Sequence, residues 1–145
     1  MLESFALYFE DFGLLGLLII CFLSATILPL SSEIVLFYFL SLGNYNPILI
    51  LIIASFGNCL GGLTNYLLGF YGNKFFLKKV NFENKFLLYF QKKGFYAAFF
   101  SWIPIIGDSL LISLGFIKTP FWKTLFFMCF GKILRYALII YLYLV

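Results

Sequence analysis

One long, nearly charge-free stretch limits what this chain can fold into more than any other feature. Between Phe12 and Asn73 the only charged residue is Glu33, whereas a helix needs about 20 apolar residues to cross the hydrocarbon core of a membrane. Hydrophobic residues make up 63% of the 145 residues and charged ones only 11%. A water-soluble domain of this size does not need so much apolar surface. The sequence therefore predicts a single all-α integral membrane domain over residues 1–145.

Residue types that carry soluble enzyme chemistry are scarce. The chain has no histidine, which excludes Ser-His and Cys-His catalysis and the commonest metal ligand. Cys21, Cys59 and Cys129 lie far apart and without CxxC spacing, so they predict small buried apolar side chains rather than disulfides or a zinc site. We therefore expect no enzyme activity, no metal, no cofactor and no nucleic-acid partner.

Most of the lysines lie in one connector, residues 72–94, in which Glu83 is the only acidic residue. They are Lys74, Lys78, Lys79, Lys85, Lys92 and Lys93. The positive-inside rule places this connector in the cytoplasm. Residues 81–94 predict a short amphipathic helix with Asn81 as its N-cap and Gly94 as its end. It either lies on the membrane surface, attracted to anionic head groups, or is a solvated basic linker.

On each side of the connector, an acid follows a proline by four residues in apolar surroundings. The two pairs are Pro29 with Glu33 and Pro104 with Asp108. A charge inside a bilayer is costly and usually functional, and a proline beside it frees backbone groups for a ligand. The predicted helix breaks comprise Pro29, Ser31, Ser32, Pro104 and Gly107. In the alternative interpretation, the acids are structural and cap half-helices through backbone N–H groups.

The sequence after each acid follows the same plan in both halves. Nine apolar residues come first, 34–42 and 109–117, and they make about 14 Å of helix, or half a bilayer. A longer apolar segment then starts at Asn46-Pro47 and at Thr119-Pro120. An N-cap residue followed by proline at the first helical position is a good helix-start signal.

These parallels predict two repeats, about 12–71 and about 95–145. Each repeat would be a re-entrant helical hairpin followed by one transmembrane helix, and the odd number of crossings would invert the second repeat. Interrupted apolar segments at corresponding places of two halves are typical of a substrate site at the membrane midplane. The alternative is that the prolines merely kink continuous spanning helices.

Two cations lie on one face of the final apolar helix. Lys132 and Arg135 are three residues apart, and Arg135 is the only arginine of the chain. Such cations should pair with Glu33, Asp108 or a phosphate-bearing ligand, or else reach the interface by snorkelling. A buried carboxyl can alternate between neutral and charged forms. These four residues are therefore the predicted substrate and proton site.

The helix over residues 57–69 carries two stripes of small or polar residues. The first, suited to close helix contact, comprises Gly57, Gly61 and Thr64. The second places two amides on one side of the helix and comprises Asn58, Gly62, Asn65 and Gly69. Because amides in lipid need hydrogen-bond partners, the second stripe should face the broken hairpins or a polar cavity.

Four segments in this order resemble a known membrane-protein family. They are LSATILPLSSE at 23–33, GNCLGGLTNY at 57–66, WIPIIGD at 102–108 and GKILRY at 131–136. Together they resemble the YqaA-type branch of the DedA, or VTT-domain (SNARE-associated), superfamily. The resemblance implies a multi-pass bacterial inner-membrane protein with two facing re-entrant hairpins. It also implies a link to lipid scrambling or flipping, undecaprenyl-phosphate recycling and proton-dependent transport.

The two hairpins match this family unequally. Glu33 matches the acid of the first hairpin by motif. In the second hairpin the main DedA pattern has arginines flanking the Pro-Gly turn, where this chain has Ser101 and Gly107. Lys132 and Arg135 are the cations available to supply that positive charge.

The leading hypothesis is a transporter or lipid flippase-like or scramblase-like protein with a midplane site between the hairpins. It would handle an anionic lipid or small solute, with proton coupling. The expected partners are protons and membrane lipids, including an anionic phospholipid or polyprenyl phosphate, and a homo-oligomer is left open. The alternative is a structural or accessory membrane protein that supports envelope integrity. An intramembrane enzyme is the least favoured class, because two acids are too few to hold a metal or a nucleophile.

Overall fold

The structure, a computed structural model, describes residues 13–26, 32–76, 85–104 and 106–145. These residues form helices and connecting turns, without a β-strand in the ranges described. The helices are α1 (Leu14–Ser24), α2 (Ser32–Ser41), α3 (Pro47–Phe76), α4 (Lys85–Lys93), a 3₁₀ helix (Gly94–Trp102), α5 (Ile106–Phe116) and α6 (Phe121–Leu144). The predicted all-α class is confirmed.

Helices α3 and α6 are long and apolar enough to cross a membrane. The apolar part of α3 runs over Pro47–Gly72, with 26 residues, and α6 has 24. Only 39% and 28% of their most apolar stretches are buried in the protein. A core helix of a soluble protein would bury most of such a stretch, so these exposed apolar faces are suited to lipid contact. The two long helices predicted from the sequence are confirmed.

The remaining apolar helices are too short to span. Helices α1, α2 and α5 contain 11, 10 and 11 residues, and therefore measure about 15 to 17 Å. In the second half the chain leaves helical geometry at Ile103, where φ is −71° and ψ is 126°, and α5 starts two residues after Pro104. A continuous kinked helix is therefore wrong for this half. Pro29 and Ser31 lie outside the described residues.

The starts of the two long helices differ in their capping. The backbone N–H of Ile48 donates to Asn46 Oδ1 at 2.9 Å, which confirms Asn46 as the N-cap of α3. The predicted cap at Thr119 is wrong. Its hydroxyl donates to the carbonyl oxygen of Leu114 at 3.2 Å and lies 2.9 Å from Thr124 Oγ1. The end of α5 leaves carbonyl groups without intrahelical partners, and the buried threonine satisfies one of them.

The basic connector ends in the helix that its sequence predicts. Helix α4 has Lys92 and Lys93 in its last turn, and Gly94 ends it as predicted, whereas Asn81 lies outside the described residues. The following 3₁₀ helix is not among the predictions. Its buried residues Phe95, Ala98 and Ser101 recur every third position, which matches the three residues per turn of a 3₁₀ helix.

The chain divides into two compact units. The first contains the residues up to Gly61 together with Ile133–Val145, and the second contains Gly62–Lys132. The core of the first unit comprises Leu17, Cys21, Leu36, Phe39, Leu40, Ile50, Ala54, Tyr136 and Ile140. Each unit therefore includes part of both long helices. The predicted repeats, about 12–71 and about 95–145, instead divide the chain at the basic connector.

All three cysteines are free thiols. Cys21 is completely buried in the core of the first unit, as its apolar surroundings predict. Cys59 and Cys129 are half-buried instead, because each lies on a long helix that leaves much of its surface uncovered by protein. The prediction of small buried side chains is therefore confirmed for Cys21 only.

Candidate functional site

In the first unit an ion pair joins the first turn of α2 to α6. Arg135 Nη2 donates to Glu33 Oε1, and the two side chains are 14% and 28% exposed. A carboxylate in such apolar sequence is costly to leave without a counter-charge. Among the partners proposed from the sequence for Arg135, the structure selects Glu33.

A short chain of hydrogen bonds lies beside this ion pair. The hydroxyl of Tyr136 donates to Ser32 Oγ at 2.8 Å and accepts from Asn58 Nδ2. Tyr136 is completely buried. Arg135 and Tyr136 of α6 thus bind Glu33 and Ser32 at the start of α2. These contacts fix both the position and the rotation of that helix end.

Sequence analysis did not single out Tyr136 from the ten tyrosines of the chain. The sequence feature that could have identified Tyr136 as a site residue is its position next to Arg135, at the depth where an intramembrane arginine must find a partner. A buried phenol likewise needs a hydrogen-bond partner, and Ser32 supplies it. An amphipathic side chain next to an intramembrane charge is therefore worth including in such a site.

Removing the Tyr136 hydroxyl should destabilise the first unit. In the Tyr136→Phe variant, the buried Ser32 loses its donor and Asn58 loses one acceptor. Hydrogen bonds of this kind contribute about 1 kcal/mol in membranes and up to about 3 kcal/mol when a buried group is left unsatisfied. We expect a lower thermal unfolding midpoint in detergent. Tyr141→Phe is the matched control, since Tyr141 lies on the same helix and is 65% exposed. An equal effect of both variants would contradict this role of Tyr136.

The second unit holds a different ion pair. Lys132 Nζ lies 3.4 Å from Asp108 Oδ1, with side chains 3% and 31% exposed. The lysine is thus the buried member and the acid the accessible one. A Cβ atom at Gly62 would come within 3.0 Å of Lys132 Nζ and 2.7 Å of Met128 Sδ. Glycine at this position therefore leaves space for the ammonium group.

The helix break before Asp108 brings two chain segments into close contact. A Cβ atom at Gly107 would overlap the backbone carbonyl of Ser101, so this turn requires glycine. Ser101 is 3% exposed, and its hydroxyl has no hydrogen-bond partner among the residues that the structure describes. The predicted break residues Pro104 and Gly107 thus lie next to a buried polar atom. Ser32, the described break residue of the first half, is bound to Tyr136.

The two predicted stripes of α3 are divided between the units. In the first unit, Gly57 and Gly61 face α1, where Cβ atoms would come within 2.5 Å of Leu18 O and 2.8 Å of Phe22 O. Thr64 belongs to the second unit and is half-buried. The amides are divided in the same way: Asn58 binds Tyr136 in the first unit, and Asn65, 2% exposed, is buried in the second.

Comparison with known proteins places the chain in a family. It is 38% identical to the inner membrane protein YqaA of Escherichia coli strain K12 over 130 residues, which cover 88% of this chain and 89% of that protein. The chain belongs to the YqaA branch of the DedA family. The YqaA protein of Shigella flexneri gives the same values. An uncharacterized protein of Haemophilus influenzae is 30% identical over 153 residues, which cover 97% of this chain and 96% of that protein.

No protein-family model matches the chain, and no solved structure matches it either. Membership of the YqaA branch thus rests on these full-length sequence relatives. These relatives confirm the resemblance carried by the four sequence segments, and the two YqaA proteins among them are named inner membrane proteins. Together with the exposed apolar surfaces of α3 and α6, these names support a membrane location for this chain. The YqaA relatives are named as membrane proteins and not as enzymes.

Proposed function

We propose that this YqaA-branch protein is a multi-pass inner-membrane transporter that moves an anionic lipid or small anion together with protons. One observation carries the proposal. Each compact unit pairs an acid in the first turn of a short helix with a cation of α6: Glu33 with Arg135, and Asp108 with Lys132. Ionisable residues beside interrupted helices at membrane depth are typical of substrate and ion sites in transporters.

The Asp108–Lys132 pair is suited to couple a proton to an anion. Asp108 is the more exposed member of the pair, and in this proposal its carboxylate is the proton acceptor. Protonation removes the negative charge that faces the buried ammonium of Lys132. An anionic group of the substrate can then bind that ammonium and restore the charge balance. One proton thus accompanies each negative charge, and the net charge of the site stays constant.

The Glu33–Arg135 pair is suited to a different role. A guanidinium group keeps its charge throughout the physiological pH range, and the adjacent Tyr136–Ser32 hydrogen bond attaches the same helix end a second time. In this proposal the positive charge of Arg135 stays balanced by Glu33, and the pair holds the start of α2 against α6. The second unit carries out the proton exchange.

The proposal includes a topology. Helices α1 and α2 form one re-entrant hairpin, and the 3₁₀ helix and α5 form another. The support is their length, about half the hydrocarbon thickness, and the interrupted backbone before Asp108. The lysines of residues 72–94 favour a cytoplasmic location for this connector by the positive-inside rule.

Neutralising the acids tests the proposal. Purified protein is reconstituted in vesicles, lipid movement is followed with fluorescently labelled phosphatidylglycerol, and proton movement with an enclosed pH-sensitive dye. We expect Asp108→Asn to lower proton-coupled flux at least about tenfold, which corresponds to about 1.4 kcal/mol of coupling. Glu33→Gln should lower flux in proportion to its loss of folded protein. Ser113→Ala is the matched control, because Ser113 is exposed on α5 and its hydroxyl bonds only to its own helix.

Two outcomes would overturn the transport proposal. One is a wild-type protein that moves neither labelled phosphatidylglycerol nor protons. The other is an Asp108→Asn protein that is correctly inserted and keeps normal lipid and proton flux. A lower folded yield with unchanged flux per folded molecule would favour the accessory role, in which the ion pairs only hold the helices.

A further inference from the structure

An open groove lined by aromatic rings lies on the second unit, and its lining residues do not include Asp108 or Lys132. Its volume is about 380 Å³, and its walls are Phe95, Tyr96, Trp122, Lys123, Phe126 and Phe127. Tyr96, Trp122 and Phe126 are 57%, 77% and 67% exposed. Large aromatic residues exposed together around a concave surface mark a binding site more often than scattered ones do.

The groove runs from the membrane surface into the hydrocarbon layer. Trp122 and Lys123 lie in the first turn of the spanning helix α6, and tryptophan and lysine are the residue types that anchor helices at the interface. Phe126 and Phe127 follow one turn later, about 6 Å deeper at 1.5 Å per residue. One end of the groove is therefore at head-group level and carries a cation, and the other end is apolar.

Exposed lysines flank the groove residues along the chain, and Lys123 lines the groove itself. Lys92, Lys93, Lys118 and Lys123 are all exposed. Gly94, which follows Lys93, packs on the residues that precede α6, since a Cβ atom there would lie 3.3 Å from Thr119 Cγ2. In the described part of the second unit the only acid is Asp108, which is paired with the buried Lys132. The four exposed lysines are therefore not neutralised by described acids of this unit.

We propose that this groove binds one anionic phospholipid, with its phosphate at Lys123 and one acyl chain along Phe126 and Phe127. Lys123 Nζ lies 5.2 Å from the centre of the Phe95 ring. This cation–π contact holds the ammonium at the mouth of the groove and leaves its outer side open to a phosphate. Charge complementarity selects an anionic head group, and the aromatic walls select a molecule with a chain. The bound lipid is a resident partner of the protein, whether or not it is also transported.

Lipid retention by the purified protein tests this site. The protein is exchanged into mixed micelles with equal amounts of phosphatidylglycerol and phosphatidylcholine, and the bound lipids are counted by native mass spectrometry. We expect Lys123→Gln to lower the phosphatidylglycerol preference about fivefold, because one lysine near an anionic head group contributes about that factor. Lys123→Arg should keep the preference.

The hydrophobic part of the site needs a separate pair of variants. Phe126→Ala should lower the total amount of bound lipid without changing the head-group preference. Phe130→Ala is its control, because Phe130 is also exposed on α6, at 53%, but does not line the groove. Equal preference in wild-type and Lys123→Gln protein would overturn the proposal. So would displacement of the lipid by millimolar inorganic phosphate, since that result would reduce the groove to a simple anion site.

Discussion

Alanine at Gly115 is expected to prevent stable folding of the second unit, although it adds only one methyl group. A Cβ atom at Gly115 on α5 would overlap the carbonyl oxygen of Tyr66 and lie 3.0 Å from the backbone nitrogen of Phe70. Both atoms belong to the backbone of α3, so a change of rotamer cannot relieve the overlap. Gly69 on α3 meets the backbone of Ile112 and Phe116 in the same way. The two helices would have to separate along their whole contact.

We expect Gly115→Ala to cost more than about 3 kcal/mol, at the upper end of the range for overpacked sites. The protein should accumulate poorly and elute as aggregate in size-exclusion chromatography. Gly72→Ala is the control on α3, since no atom lies within 4 Å of a Cβ atom at Gly72. In a helix this exchange stabilises by up to about 1 kcal/mol. A Gly115→Ala protein that unfolds at the wild-type temperature would show that α3 and α5 do not meet this closely.

These glycines show what a sequence can and cannot predict about helix contacts. The small-residue spacing at Gly57 and Gly61 predicts that α3 has a smooth face, and in the first unit α1 occupies it. The same spacing does not name the partner helix. From the sequence, Gly115 is predicted only to lie near the end of a short helix. Its contact with α3 depends on the tertiary structure that follows the helix break at Pro104.

Local signals account for most of the helices. Apolar length predicts α3 and α6, Asn46-Pro47 predicts the start of α3, and Gly94 predicts the end of α4, because each depends on nearby residues alone. Thr119 carries the same local cap signal as Asn46, but its side chain bonds to Leu114 and Thr124 instead. A tertiary contact overrides the local preference there.

The pairing of the charged residues is the part that the sequence leaves open. Lys132 and Arg135 lie about 4.5 Å apart along α6 and on one face, so either could reach either acid. The choice depends on the rotation and depth of α6 relative to the two short helices. The structure assigns Arg135 to Glu33 in the first unit and Lys132 to Asp108 in the second. The Tyr136–Ser32 hydrogen bond is consistent with the orientation of α6 that pairs Arg135 with Glu33.

Neutralising Asp108 alone is expected to destabilise the protein more than neutralising Asp108 and Lys132 together. In Asp108→Asn the ammonium of Lys132, 3% exposed, loses its carboxylate partner, and breaking a buried ion pair costs about 3 kcal/mol or more. In Lys132→Met the carboxylate that remains is 31% exposed and is less enclosed by protein than the ammonium, so the cost is smaller. The double variant places an unbranched apolar chain beside Met128 and Leu111, which should restore nearly wild-type stability. We expect a coupling free energy of about 2 kcal/mol from the four thermal or chemical unfolding curves.

The double variant also separates the two functional hypotheses. If the pair only holds α5 against α6, the Asp108→Asn/Lys132→Met protein should regain activity together with stability, because the apolar replacement packs equally well. If the pair couples a proton to an anion, the protein should fold normally and still fail to move labelled phosphatidylglycerol or protons, because neither a proton acceptor nor an anion-binding cation remains there. Flux is therefore measured per folded molecule, with Ser113→Ala as the reference. A stable and fully active double variant would remove the Asp108–Lys132 pair from the mechanism.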